Sequence, residues 1–494
     1  MYEHLETAEN PEGLRRVVVD PISRVEGHGK ITLLMDENRK VHQARLHIVE
    51  FRGFERFIEG RPYWELPVLV QRLCGICPVS HHLAAAKAID QIVGVDQLTP
   101  SAEKIRRLMH YAQVLQSHAL HFFHLASPDL LFGYDSELGR RNIFGVLAQF
   151  PDIALQGIEL RKFGQEVIRC LTGKRIHGTS AIPGGVNKHL SRSDRDHLIA
   201  WVPSILVAAK KAEELSKRLF LSDPRHQSFA TIQSNYLSLN REDGAMDLYH
   251  GGLWLKDQCG KLLLRNVDYR TYTDLLREEV KSWTYMKYPF VESMGSSEGW
   301  YRVGPLARLN NAAEIDTPMA EAARRDFIDL AGGGPLSATL GYHWARMIEL
   351  LHCAEIVQRL LDDEDVLSGP LTTMGEARPE GIGVIEAPRG TLFHHYQVNE
   401  QGLVTRANLI VSTTNNNQAM NESVRQVAAC YLDGYEPDEG LLNHLEVAIR
   451  AYDPCLSCAT HALGKMPLEL EILNHNGERN FHISRNVSDA PAFI

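Results

Sequence analysis

Two C-x2-C pairs stand near opposite ends of the chain, Cys74 and Cys77 in RLCGICPVSH, and Cys455 and Cys458 in DPCLSCATH, with His81 and His461 close behind. Two intervening residues let both sulfurs of a pair turn toward one ion, and thiolates are the soft ligands that nickel, zinc and iron centres prefer. Gly75 permits close backbone approach, while Pro78 and Pro454 stiffen the flanking chain, so the sulfurs are presented with little conformational freedom. Spacing alone is equally compatible with a structural zinc site of four cysteines or a redox dithiol. The separation of the pairs by nearly the whole chain weighs against zinc, because zinc knuckles usually staple short segments that lack a core of their own. Cys170, Cys259, Cys353 and Cys430 stand alone within apolar or helical patterns, such as IELLHCAEIVQRLL around Cys353, and read as small packing residues. His118, His121 and His124 fall near one helical face but bring no carboxylate with them, which favours packing or hydrogen bonding over metal binding.

Residues 30–50 read as a β-hairpin, with Leu46 and Ile48 alternating with polar neighbours and Asp36-Glu37-Asn38 as the turn. Thr99 and Pro100 mark a helix start, and Ile105, Leu108, Met109, Ala112, Leu115, Ala119 and Phe122 recur at helical spacing behind them. Similar patterns over 200–220, 338–362, 417–432 and 439–451 predict further helices. A second β-like patch covers 381–396 and 403–411 around an Asn399-Glu400-Gln401-Gly402 turn, and is expected near the active centre. The expected fold class is mainly α with small β-sheets (α+β), with long helices around a buried site. No repeat or linker divides the chain, so residues 1–494 read as one domain.

The chain has 494 residues, 44% hydrophobic and 23% charged, the composition of an ordinary globular protein with a large core. The best candidate for a membrane span, residues 198–211, is broken by Pro203 and ends in paired lysines, so no span is expected. The N-terminus, MYEHLETAENPEG, is acidic and polar and carries no recognisable secretory signal. With few cysteines and no disulfide pattern, this points to the reducing cytoplasm. A net charge of −10 and the lack of a basic block argue against a nucleic-acid surface. No further cysteine cluster suits an iron-sulfur centre and no strand, G-x-G-x-x-G, helix unit suits a dinucleotide, so electrons handled here must leave through another subunit.

Together with Arg24-Val25-Glu26-Gly27-His28, Phe51-Arg52-Gly53-Phe54-Glu55 and Glu386-Ala387-Pro388-Arg389-Gly390, the cysteine motifs resemble those of the nickel-iron hydrogenase large subunits, in family order and over essentially the whole chain. PGGV at 183–186 and the run RAYDPCLSCATHALG are most similar to the cytoplasmic, bidirectional, NAD-linked group. Similar large subunits work with a deazaflavin coenzyme or with heterodisulfide reductase. Readings of another class are a zinc-stabilised structural protein and a complex I type quinone-site subunit, which shares this ancestry but generally lacks the four thiolates.

The resemblance implies reversible heterolytic cleavage of H2 at a nickel-iron centre whose iron carries CO and two cyanides. It implies that Cys74 and Cys455 bind nickel terminally and that Cys77 and Cys458 bridge to iron. The Cys455 thiolate would take the proton first and Glu26 would begin the relay, although a carboxylate beside Arg24 and His28 is otherwise an ordinary surface ion pair. Pro388 and Arg389 would face the iron's ligands, an always-charged guanidinium suiting cyanide, and Thr413 matches the position that hydrogen-bonds a cyanide. Glu55, the Leu409 carbonyl and His461 match ligands of a magnesium ion, although histidine is an unusual ligand for that metal. Many family members carry Asp-His where this chain has Ser117-His118, so a carboxylate is missing there. Family precursors are cut after the histidine equivalent to His461, which makes residues 462–494 a candidate extension removed by a maturation protease, with a candidate strand at 468–473. The implied partners are flavin-containing diaphorase subunits together with a small iron-sulfur subunit.

Overall fold

The computed structural model describes residues 5–460 and the backbone of two later strands, Leu468–Leu473 and Arg479–Arg485. His461 lies outside the described residues. The chain opens with an antiparallel sheet in the order β1 (Arg15–Val19), β2 (Gly29–Met35), β3 (Val41–Ile48). β2 and β3 are the anticipated hairpin: Ile31 faces Leu46 and Leu33 faces Ala44 in register, and all four are buried. Alternation with polar residues gives the sheet one core face.

The first cysteine pair leads directly into α1 (Pro78–Ile92), whose N-cap is Cys77 and whose first residue is Pro78. Next comes α2 (Pro100–Leu120), where the Thr99 hydroxyl accepts the Ala102 N–H as the sequence predicts. α2 continues through a π-helical turn at His121–Ala126. Helices α3 (Pro151–Thr172) and α4 (Arg192–Leu221) follow, the latter beginning earlier than the hydrophobic periodicity indicates because Ser191 caps it and its first turns are amphipathic only weakly. Pro203 is accommodated inside α4.

A four-stranded sheet, β4 (Asn235–Asn240), β5 (Gly252–Lys256), β6 (Leu262–Val267) and β7 (Tyr301–Arg302) in the order β7-β4-β5-β6, has no counterpart in the sequence-based expectation. β4 is buried along its whole length, so Ser238 and Asn240, which alternate with Leu237 and Leu239, do not mark a solvent face. The short helix α5 (Pro305–Asn311) and the long α6 (Gly341–Leu361) come next; nearly every α6 residue is buried, as a central helix requires. The second anticipated β patch forms a meander, β8 (Glu380–Ala387), β9 (Gly390–Val398) and β10 (Val404–Ile410), with its turn at 399–402. α7 (Asn417–Val427) runs into a second π-helical turn, and α8 (Glu439–Ala451) delivers the second cysteine pair.

α2 packs between α3 and α6, α4 packs on α6, and α1 lies across β8. The last contact is close: a Cβ on Gly383 would stand 2.0 Å from the Ala84 carbonyl oxygen, so only glycine lets this strand reach the helix that carries Cys77. The fold is thus mainly helical with small open sheets. Among the described residues no single helix is long and apolar enough to cross a membrane. Leu468–Leu473 is a strand, paired antiparallel with Arg479–Arg485.

Candidate metal centre

Each half of the cradle is set by local geometry. Cys77 sits at the N-terminus of α1, where the unpaired N–H groups favour negative charge. Cys455 follows Asp453, which holds a left-handed backbone angle (φ 54°) that turns the chain sharply after α8. The halves are then stitched together from the N-terminal segment. Glu26 and Cys455 form an isolated parallel bridge, in which the Leu456 N–H donates to the Glu26 carbonyl at 2.9 Å. Gly27 allows this approach, because a Cβ there would lie 2.5 Å from the Ser457 nitrogen and φ is +85°.

The outcome is a buried cluster in which the sulfurs of Cys74, Cys77, Cys455 and Cys458 all lie within 4.8 Å of one another. Cys455 Sγ is 3.2 Å from Cys74 Sγ and 2.9 Å from Cys458 Sγ. Among the described residues no other group of histidines, cysteines and carboxylates converges in this way. Hydrogen bonds from Cys455, Cys458 and Cys74 hold the Cys77 thiol well below its ordinary range, whereas burial pushes Cys455 and Cys458 well above it. Four buried sulfurs this close cannot all carry charge alone; a divalent cation among them removes the conflict.

Beside the sulfurs lies a small cavity lined by Cys77, Cys455, Ala387, Pro388, Arg389, Ser412 and Thr413 among others. Arg389 donates through Nε to the Asp453 carbonyl (2.5 Å) and through Nη2 to the Asp453 carboxylate (3.0 Å). Its remaining nitrogen, Nη1, is buried without a partner. Burial opposes the charge, but Asp453 and the cysteine sulfurs outweigh it and hold Arg389 well above its ordinary value. Thr413 accepts the Cys455 N–H at 2.9 Å, which leaves its own proton to donate. An orphaned guanidinium nitrogen and a free hydroxyl proton beside soft sulfur ligands fit a metal pair carrying small anionic ligands. The residues present therefore fit the nickel-iron group.

Glu26 is half-buried and its Oε2 is 2.9 Å from Cys455 Sγ. The same oxygen accepts the Ser457 N–H at 3.2 Å and the other accepts the Ser457 hydroxyl, so the carboxylate is fixed against the sulfur. His81 hydrogen-bonds toward Cys77 and, through Nδ1, meets His394 Nε2 at 3.1 Å.

Glu55 is buried, and the Leu409 N–H donates to its Oε1 at 2.8 Å. Sequence reasoning missed the rest of this site: Lys287 Nζ stands 3.5 Å from Glu55 and 3.3 Å from Glu278. With its amide nitrogen turned toward them, Asn408 donates to Glu55 at 3.2 Å and Glu278 at 3.3 Å. Burial raises both carboxylates above their ordinary range against the pull of Lys287, and the Glu55 charge raises Glu278 further. Burial disfavours the Lys287 charge as well, but the two carboxylates overcome it and hold the ammonium above its usual value. The oxygens suit a hard cation, with Lys287 competing for the same charge. No spacing signal marks Lys287 or Glu278, because they reach Glu55 across the strand pair Leu276–Glu279 and Tyr288–Val291.

The histidines of α2 and its π turn act as hydrogen-bonding residues: His118 Nε2 meets Glu349 at 2.9 Å and His121 Nε2 meets the Arg450 carbonyl at 2.7 Å. Ser117 is buried and its hydroxyl lacks a protein partner. Cys170 and Cys353 are buried as expected, but Cys259 and Cys430 are exposed. Cys259 occupies the tip of the turn at 257–261 and Cys430 the outer side of the second π turn, where neither packs in the core.

The family profile of nickel-dependent hydrogenases matches residues 52–131 and 250–461, and a HoxL-like profile matches 16–51. The beta subunit of the NAD-reducing hydrogenase HoxS of Cupriavidus necator is 46% identical over 479 residues, covering 94% of this chain and 98% of that one. The matching chain of the F420-non-reducing hydrogenase of Methanothermobacter marburgensis is 40% identical, with coverage of 94% and 98%. The crystal structure of an NAD+-reducing NiFe hydrogenase in the H2-reduced state superposes with a TM-score of 0.89 at 56% identity, over 90% of this chain and 99% of that one. A nickel-iron-selenium hydrogenase from Desulfovibrio vulgaris Hildenborough shares the fold, with a TM-score of 0.74 at 23% identity over 91% of this chain and 100% of that one. This chain belongs to the nickel-dependent hydrogenase large-subunit family. It is accordingly an oxidoreductase, and its relatives are subunits of larger hydrogenases.

Proposed function

We propose that this chain is the H2-activating subunit of a nickel-iron hydrogenase that exchanges electrons with NAD through partner subunits. The observation that carries this reading is the position of Glu26 Oε2 against Cys455 Sγ within the four-sulfur cradle. The NAD assignment rests on the higher identity to the NAD-reducing relative, 46% against 40% for the F420-non-reducing one.

Cys74, Cys77, Cys455 and Cys458 would hold nickel, with the sulfurs of Cys77 and Cys458 also available to iron. When bound, the metal pair supplies the Lewis acidity and redox capacity that H2 cleavage needs. The chain's own residues handle the proton. Cys455 Sγ receives it, and Glu26 Oε2, already within hydrogen-bond reach and fixed by Ser457, accepts it from the sulfur. Because Glu26 is half-buried, it connects the closed cradle with the outside. Pro388, Arg389 and Thr413 line the cavity in which CO and cyanides on iron would sit, and Arg389 Nη1 and the Thr413 hydroxyl would donate to them. Glu55 and Leu409, with Glu278 nearby and His461 beyond the described residues, would hold magnesium. A flavin-containing diaphorase and a small iron-sulfur subunit carry the electrons away in the cytoplasm, and a maturation protease removes residues 462–494 from the single large domain.

Metal analysis of the purified complex, with infrared spectroscopy where metal-bound CO and cyanide absorb, tests the reading. Nickel with those bands is expected; zinc alone without them in processed protein would overturn it.

A further inference from the structure

Arg389 is carried by the tight connection between β8 and β9, and that connection is held from behind by a second arginine. Arg308, on α5, is fully buried and commits every guanidinium nitrogen to partners. Nη1 donates to the Ala387 carbonyl at 3.0 Å and to Glu386 Oε2 at 2.6 Å. Nη2 reaches the Pro388 carbonyl at 3.4 Å and Glu349 Oε2 at 2.6 Å, and Nε donates to Glu349 Oε1 at 2.5 Å. The carbonyls it grips belong to the two residues immediately before Arg389. Glu349, on α6, fixes the fork of Arg308 from the far side, and His118 Nε2 fixes Glu349 Oε2 in turn at 2.9 Å.

We propose that Glu349 is a positioning residue for the metal centre: through Arg308 it sets where the Pro388-Arg389 turn stands and so where Arg389 Nη1 points. The physical case is one of degrees of freedom. A hairpin connection of two residues can tilt about its strands, yet Arg389 lines the cavity with one nitrogen unpaired while its other donors stay on Asp453. A guanidinium is planar and presents its donors in a fixed fork, so locking Arg308 at both carboxylates transmits one orientation to the two carbonyls. Lysine at 308 lacks that fork. Burial favours the neutral imidazole at His118, which lets it act as a directional partner for Glu349. The hydrogen bonds of Arg308 and Glu349 and the one from His118 Nε2 go to one another and to the Glu386–Pro388 segment, not to the four sulfurs, which separates their action from metal binding.

This inference rests on the nickel-iron reading above. Its test is Glu349→Gln in the complete hydrogenase complex, read by nickel content, the CO and cyanide infrared bands, and kcat and KM for H2. The expected result is retained nickel, cyanide bands displaced from the wild-type positions, and kcat lower by about 10- to 100-fold with KM little changed, as a small misplacement of a group at the reacting centre produces. If E349Q holds nickel with wild-type bands and wild-type kcat, and only melts at a lower temperature, Glu349 is a stability element and the proposal falls. Where E349Q does not take up nickel, His118→Ala decides, because it leaves the Arg308 ion pair in place and loosens only Glu349; displaced cyanide bands support positioning and unchanged bands overturn it. If the wild-type complex itself lacks those bands, the failure belongs to the nickel-iron reading and not to Glu349.

Discussion

Glu26 and Cys455, 429 positions apart in the chain, meet with a carboxylate oxygen 2.9 Å from a sulfur. The contact is one atom deep: Oε2 also takes the Ser457 N–H at 3.2 Å, so the carboxylate is oriented before any proton arrives. Glu26→Gln keeps the shape and the Ser457 contacts but cannot accept a proton. H2 oxidation by this variant should fall by about 10²- to 10⁴-fold, the usual worth of general acid-base catalysis. Nickel content and the CO and cyanide bands should stay at wild-type values; loss of nickel in the variant would instead make Glu26 part of the cradle.

Arg389 lines the cavity, holds Asp453 with two nitrogens and leaves the third buried and unpartnered. Arg389→Lys preserves charge but offers a single ammonium in place of a fork. The expected loss in kcat is about 10²- to 10³-fold, the scale found when one preorganised donor is removed from a reacting centre. An Arg389→Lys enzyme with wild-type turnover would exclude the free nitrogen from function.

At the magnesium site proposed above, Glu278 faces the same Lys287 ammonium as Glu55, at 3.3 Å and 3.5 Å. Glu278→Gln removes one of two buried carboxylates without touching the sulfur cradle. Magnesium affinity, measured by titrating chelator-treated complex, should drop by about 10- to 100-fold, the range for outer-shell ligand partners. Unaltered affinity would restrict Glu278 to pairing with Lys287.

Acid should destabilise the fold from a predictable point. Burial lowers His47, His82, His110 and His118 from 6.5 to about 4. The unfolded chain therefore binds protons below pH 6.5 that the folded chain refuses until about pH 4, so stability falls as pH drops through that window, by up to about 3 kcal/mol for each histidine. Glu349 adds to the loss further down: burial opposes its charge, but Arg308 and His118 hold it at about 2 instead of 4.5, and this contribution fades as pH falls below 4.5. Denaturation midpoints measured between about pH 7 and pH 4 should fall steadily, and His110→Asn should flatten the slope; a midpoint independent of pH over this range would contradict the buried, neutral state of these rings.

The legible parts of this protein are those with a short-range signature. The β2–β3 hairpin has alternation and turn residues, α2 has its Thr99 cap and helical period, and α8 spans the residues its pattern indicates. β4 alternates Leu237 and Leu239 with Ser238 and Asn240 over too short a run to stand out, and α4 starts at a Ser191 cap well ahead of the apolar stripe that marks its body. In the buried cluster around Lys287, Glu55 is legible from its motif, whereas Lys287 and Glu278 belong to no spacing pattern.

By itself the sequence determined the ligand chemistry: which residues carry sulfur, that each pair can turn onto one ion, and that Glu26 and Arg389 stand in further motifs resembling the same family as the cysteine motifs. These are local properties, because two residues of spacing fix what a pair of side chains can reach. Only the tertiary structure decided that the two pairs share one cluster within 4.8 Å, that one nitrogen of Arg389 is left over for the cavity, and that Arg308 and Glu349 stand behind it. Those facts depend on how α1, α5, α6 and the β8–β9 turn pack against one another, and packing is set by the summed burial of the whole core, which no short stretch of sequence contains.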